Sequence, residues 1–278
     1  MNRVKARFAA LRKEGRGGLV TFITAGDPDL ALSAELLTGL PDAGADFIEL
    51  GMPFTDPMAD GPIIDLASAR ALAAGQTMGK TLSMVSDFRK LDTQTPIVLM
   101  GYYNPIYAFG LEKFANEAAE SGVDGLIIVD LPPEEEAEFG HFSKRAGINI
   151  VRLIAPTSTE QRIATLVRNA SGFVYYVSVR GITGTRSAPA SDIERNVARI
   201  KKYTDLPVAV GFGIRTPKHA AEVAAVADAA VVGTAIVEKI AAALDGNGRT
   251  SAEVVSTTLE FVGNLAAAVR GARDGGAR

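Results

Sequence analysis

The stretch Phe47-Ile48-Glu49-Leu50-Gly51 carries one carboxylate in an otherwise apolar run. Burying a carboxylate is costly, and desolvation lifts its pKa toward the range in which it can both give and take a proton. An edge position or a buried ion pair is the other reason for an acid in such a place. The following segment, Met52-Pro53-Phe54-Thr55-Asp56-Pro57-Met58-Ala59-Asp60-Gly61-Pro62, adds Asp56 and Asp60. Each has the makings of a turn residue or helix cap, or of a second functional carboxylate beside Glu49. Three glycine-rich turns offer a different chemistry: Arg180-Gly181-Ile182-Thr183-Gly184-Thr185, Val210-Gly211-Phe212-Gly213-Ile214-Arg215 and Val232-Gly233-Thr234-Ala235. A side chain would hold the backbone away from phosphate oxygens, whereas glycine at the start of a helix lets free N–H groups meet an anion.

Composition narrows what these groups can be used for. The 278 residues include no cysteine and two histidines, His141 and His219, far apart in the chain. Thiolate nucleophiles, disulfides and cysteine-ligated metals are excluded, and a histidine metal site or a Ser-His-Asp triad is disfavoured. Lys+Arg 29 against Asp+Glu 32 gives a net charge of −3, so no basic excess exists for nucleic acid. No lysine falls at a predicted strand end, which disfavours a Schiff-base aldolase, and neither a P-loop nor a Rossmann fingerprint occurs. The basic N-terminus leads into no apolar signal segment, and the Ala-rich stretch 220–244 is broken by Glu222, Asp228, Glu238 and Lys239, which argues against a membrane span. A cytoplasmic location is the expectation.

The elements that must position these residues follow from hydrophobic runs. Leu19–Thr24, Phe47–Gly51, Ile97–Met100, Gly125–Val129, Asn149–Leu153, Phe173–Val177, Val208–Gly211 and Ala229–Gly233 read as eight strands, continuously apolar as in a parallel sheet covered on both faces. Helix starts lie between them: Leu131-Pro132-Pro133-Glu134, Thr157-Ser158-Thr159-Glu160 and Thr216-Pro217. Eight strand–helix units predict a single (β/α)8 TIM-type barrel over residues 1–270. A helix over residues 1–13 precedes the first strand, two more (Pro62–Ala73 and Thr77–Lys90) follow the second, and one over 250–272 closes the fold. Residues 271–278 read as a frayed tail. In such a barrel the site forms at the carboxyl ends of the strands, which is where Glu49, Asp60 and the glycine turns fall.

Phe22-Ile23-Thr24-Ala25-Gly26-Asp27-Pro28, the block from Glu49 to Pro62, Gly101-Tyr102-Tyr103-Asn104-Pro105, Gly184 and Gly211-Phe212-Gly213-Ile214 resemble the tryptophan synthase alpha chain family, over about residues 3–265. The resemblance implies retro-aldol cleavage of indole-3-glycerol phosphate to indole and glyceraldehyde 3-phosphate. It makes Glu49 the general acid–base and Asp60 the carboxylate that holds the indole N–H. Tyr175 then lies near Glu49, Phe22, Met100 and Ile154 line the indole pocket, and Thr183 and Gly184 close over the substrate. Phe212 belongs to the same site, and Gly184, Gly213, Gly233 and Thr234 hold the phosphate. It further implies no cofactor in this chain and an αββα complex with a pyridoxal-phosphate beta chain, to which indole passes. Pro53, Phe54 and Asp56, with the loop at Tyr103-Asn104-Pro105, are the implied contacts. Thr234 stands where the family frequently has serine, and Arg180 where a small or hydroxyl residue is the norm; neither change removes a carboxylate. A different phosphate-binding barrel, such as a sugar-phosphate or indole-pathway isomerase, and a non-catalytic indole-binding barrel are the alternatives.

Overall fold

The computed structural model describes residues 2–178, 189–211, 213–244 and 253–273. Helix α1 (Arg3–Lys13) precedes strand β1 (Gly18–Thr24), and α2 (Leu30–Ala43) leads to β2 (Phe47–Gly51). Helices α3 (Pro62–Ala73) and α4 (Met78–Arg89) fill the interval before β3 (Ile97–Gly101), which α5 (Tyr103–Phe109) and α6 (Leu111–Ser121) connect to β4 (Gly125–Ile128). Then come α7 (Ala137–Ala146), the short strands β5 (Asn149–Ile150) and β6 (Arg152–Ile154), α8 (Glu160–Arg168) and β7 (Val174–Val177). The chain continues through α9 (Ala190–Lys201), β8 (Val208–Gly211), α10 (Pro217–Val226), β9 (Ala229–Val232), α11 (Thr234–Ala242) and α12 (Val254–Arg270).

All strand pairings are parallel, in the order β5-β4-β3-β2-β1-β9-β8-β7-β6. The fifth predicted strand is interrupted at Val151, so that β5 pairs with β4 and β6 with β7. Val151 N–H still donates to Leu126 O at 2.9 Å, and the two pieces occupy one position of an eight-place TIM-type barrel.

Side-chain alternation divides each strand between two cores. Leu19, Ile23, Ile48, Leu50, Leu99 and Val210 point outward to the helices, while Val20, Phe47, Val98, Ile127, Val151, Phe173 and Tyr175 fill the interior. The amino-terminal end of the barrel is plugged by α1, whose Phe8 packs on Phe47 and Phe173 at centroid distances of 4.5 and 5.8 Å.

The same end is tied by a repeated device. Asp46, Asp124 and Asp228 each stand immediately before a strand, and each exchanges two bonds with the first or second residue of the neighbouring one. Their N–H groups donate to Leu19 O, Ile97 O and Val208 O, and their carboxylates accept from the N–H groups of the same three residues at 2.9, 2.9 and 2.7 Å. Arginines complete two of them: Arg16 forks onto Asp46 with two bonds of 2.8 Å, and Arg3 and Arg89 meet Asp124 at 3.0 and 2.8 Å.

Several expected elements shift. The segment Tyr103-Asn104-Pro105 opens a helix rather than forming a loop; Pro105 falls in its first turn, where an N–H would lack a partner, and Asp130 accepts from Tyr103 N–H at 2.7 Å. Helix α7 begins at Ala137, after the Pro132-Pro133-Glu134 segment at which the sequence set a helix start. Arg273, expected in the frayed tail, donates to Ala224 O and Ala227 O at 3.2 and 2.7 Å, and residues 274–278 lie outside the described residues. Thr216 and Pro217 do open α10, with the Thr216 hydroxyl accepting from His219 N–H.

Asp124→Ala leaves Arg3 and Arg89 without their shared carboxylate and Ile97 N–H unpaired. It is expected to lower stability by about 3 kcal/mol, read from the midpoint of urea unfolding.

Candidate active site

Phe47 and Glu49 are two residues apart on β2 and therefore both point into the barrel. Phe47 belongs to the plugged end, and Glu49 stands one layer nearer the open carboxyl end. Its residue is 2% exposed, and among the described residues its Oε1 has no hydrogen-bond partner. Burial, and secondarily the charge of Asp60, push its pKa up to about 8. A carboxyl group so placed is protonated at neutral pH and lies within reach of deprotonation. Among the described residues Glu49 makes no ion pair.

Asp60 lies at the end of the segment that follows β2. Its backbone N–H donates to Pro57 O at 3.1 Å, and the Tyr102 hydroxyl, at the end of β3, both accepts from Ala59 N–H at 3.0 Å and donates to the Asp60 carboxylate. Burial raises the Asp60 pKa to about 6, against the Tyr102 bond, which favours the ionised form. The two carboxylates are thus poised differently, Glu49 as an acid and Asp60 as a neighbouring anion. Asp56 accepts from the Thr55 hydroxyl at the exposed surface, so of the two aspartates in the segment only Asp60 joins the site.

A pocket opens between the ends of β1 to β4 and helix α3. Phe22, Gly51, Met52, Ile64, Met100 and Val129 give it apolar walls, and Thr24, Asp60, Ser68 and Tyr102 its polar groups. Phe22 and Met100 both line this pocket. Ile154 does not: it pairs with Tyr176 and packs in the outer core, whereas Leu153 pairs with Tyr175 and lies against the barrel interior. Leu153 is the inward-facing residue of that strand. The parity was hidden because the strand is apolar on both faces.

Glycines at the strand ends make room for the aromatic groups of the site. A Cβ on Gly211 would stand 2.1 Å from the Tyr175 hydroxyl oxygen, and one on Gly51 would stand 2.7 Å from Phe22 Cζ. Gly233 similarly faces Phe22, at 3.2 Å from its Cβ. Tyr175 is buried, and desolvation followed by the Glu49 charge raises its pKa, keeping the phenol neutral. Gly213 has φ +79°, open to glycine and unfavourable for other residues. Gly233 caps α11 without a side-chain bond, and Thr234 is that helix's first residue. Thr183, Gly184 and Phe212, together with Arg180, lie outside the described residues. Tyr102 was missed as a site residue, although it had a signal, since it directly follows a strand at the carboxyl end of the barrel.

No group of three or more His, Cys, Asp or Glu able to hold a metal occurs among the described residues. No helix among them is long and apolar enough to cross a membrane.

A TIM-type barrel with two carboxyl groups of different pKa beside an apolar pocket at its carboxyl face has the form of a phosphate-sugar or indole barrel's site, the class against which it is compared. Comparison with known proteins makes the class definite. The family model described as tryptophan synthase alpha chain matches residues 8–270. The crystal structure of the tryptophan synthase alpha chain from Legionella pneumophila subsp. pneumophila is 36% identical with a TM-score of 0.86, covering 98% of each chain. A structure of Mycobacterium tuberculosis tryptophan synthase aligns at 34% identity and a TM-score of 0.85, covering 97% of this chain and 98% of that one. The chain belongs to the tryptophan synthase alpha chain family.

Glu49 holds its proton in the folded state between its ordinary pKa of 4.5 and about 8, whereas the unfolded chain releases it. The native state then binds more protons, so this group makes stability fall as pH rises through that window. Glu49→Gln removes the cost. Its stability advantage over the parent protein is expected to widen by roughly 2–4 kcal/mol between pH 5 and pH 8, measured by urea unfolding at both.

Proposed function

We propose that this chain cleaves indole-3-glycerol phosphate into indole and glyceraldehyde 3-phosphate, a carbon–carbon lyase step, and that indole passes to a beta chain. Membership of the family supports the reaction. The observation that carries the division of labour is the buried Glu49 carboxyl, whose Oε1 has no hydrogen-bond partner among the described residues, near a pocket that Asp60 borders.

With the indole ring between Phe22 and Met100, the Asp60 carboxylate accepts the ring N–H and opposes positive charge that develops on the ring. Glu49 delivers its proton to indole C3. The resulting Glu49 carboxylate takes the proton of the glycerol hydroxyl next to the scissile bond. The oxygen's electrons form the aldehyde carbonyl, the carbon–carbon bond breaks, and its electron pair restores the aromatic ring. Glu49 finishes protonated, as it began, so the step needs neither metal nor cofactor. Tyr175, kept neutral, packs beside Glu49 and fixes its surroundings. Gly213, Gly233 and Thr234 hold the phosphate through backbone N–H groups; Thr183 and Gly184, which the resemblance adds to the site, lie outside the described residues.

The beta chain is expected to bind at this same face in an αββα complex and to supply pyridoxal phosphate for its own reaction. Met58, 76% exposed in the Asp60 segment, and Tyr107, 59% exposed on α5, give that face an apolar character suited to a protein partner. Residues 1–270 act as one domain, in the cytoplasm.

The purified chain mixed with indole-3-glycerol phosphate is expected to release indole slowly, and much faster with a beta chain present. Glu49→Gln should abolish release while substrate still binds, because the amide keeps the shape and cannot shuttle a proton. Asp60→Asn should slow release about 100-fold or more through lost charge stabilisation. Near-parental turnover by Glu49→Gln would overturn the acid–base assignment, and full activity of Asp60→Asn would mean that the indole is held elsewhere.

A further inference from the structure

Thr24 is the last residue of β1 and shares the inward parity of Val20 and Phe22. It is 1% exposed, lines the pocket, and its Oγ1 has no hydrogen-bond partner among the described residues. Its backbone is engaged, the carbonyl accepting from Asp27 N–H at 3.1 Å, and its strand neighbour across the ladder is Gly51, which has no side chain to offer. Leaving a buried hydroxyl unpaired is costly, and valine of the same shape would fill the place without that cost. A hydroxyl kept under those conditions at a pocket wall is matched by what enters the pocket.

Indole itself cannot match it. The ring has one polar hydrogen, which Asp60 takes in the reaction proposed above, and Ser68 adds another polar side chain to the same wall. The pocket therefore presents more hydrogen-bonding groups than an unsubstituted indole can satisfy. We propose that Thr24 is a specificity-determining residue that admits indoles bearing a hydroxyl on the six-membered ring, with Thr24 Oγ1 bonding the substituent. The inference rests on the proposed lyase reading.

The reverse condensation offers a direct test, since there C3 of the ring bonds to the aldehyde carbon of glyceraldehyde 3-phosphate, losing its proton as the aldehyde oxygen gains one. Rates are measured for indole and for 4-, 5-, 6- and 7-hydroxyindole with the parent protein, Thr24→Val and Thr24→Ser. The parent protein is expected to use at least one hydroxyindole with kcat/KM within about tenfold of indole. Thr24→Val should lower the ratio of that hydroxyindole to indole about tenfold, and Thr24→Ser should restore it. Thr24→Val should also unfold at the same temperature as the parent or higher, because no partner within the protein is lost. Rejection of all four hydroxyindoles, an unchanged ratio in Thr24→Val, or a melting temperature lowered by several degrees would overturn the inference. Failure of the parent protein to condense indole itself would instead overturn the lyase reading beneath it.

Discussion

Glu49 keeps a carboxyl group inside the barrel where the charge that bears on it is that of another carboxylate. Everything at the carboxyl face follows from holding that arrangement together. Strand alternation sets Glu49 above Phe47, so the side chain cannot swing to solvent without turning β2 over. Gly51, Gly211 and Gly233 leave space for Phe22 and Tyr175 to crowd around it and exclude water. Tyr102 pins Ala59 and Asp60, which brings the second carboxylate close while favouring its ionised form. Two acids of similar chemistry thereby acquire different protonation states at neutral pH, as the proposed cleavage of a carbon–carbon bond to an aromatic ring requires.

The cost of that arrangement is offset at the opposite end. There Asp46, Asp124 and Asp228 bind their neighbouring strands through reciprocal backbone bonds, arginines neutralise the first two, and α1 seals the interior with Phe8. Aspartates at the amino-terminal face are fully partnered, whereas Thr24 Oγ1 and Glu49 Oε1 on the inward faces of β1 and β2 are not. Stability and chemistry are divided between the two ends of one set of strands, so residues of the same type serve opposite purposes according to which end of a strand they occupy.

Much of this was legible in the residues. An acid inside an apolar run marked Glu49, Pro62 and Thr77 marked the starts of α3 and α4, and Thr216-Pro217 marked α10. What stayed hidden depended on partners distant in the chain. Asp56 and Asp60 are alike in local sequence; the family resemblance singled out Asp60, but the Tyr102 hydroxyl, forty-odd residues onward, that separates the surface turn from the site was not visible. Leu153 and Ile154 could not be told apart, because an uninterrupted apolar strand carries no parity and this one breaks at Val151. The helix at Tyr103–Phe109 was masked by Pro105, a residue that tolerates a first helical turn as readily as a loop.

The central claim is that Glu49 carries a proton at neutral pH in the folded protein. Labelling the glutamate side-chain carboxyls with carbon-13, and assigning Glu49 by the resonance missing from Glu49→Gln, allows its titration to be followed directly by NMR. A midpoint near pH 8 is the predicted result. A midpoint near the ordinary value of 4.5 would show an ionised Glu49 at neutral pH, and would contradict its role as the acid that protonates the ring.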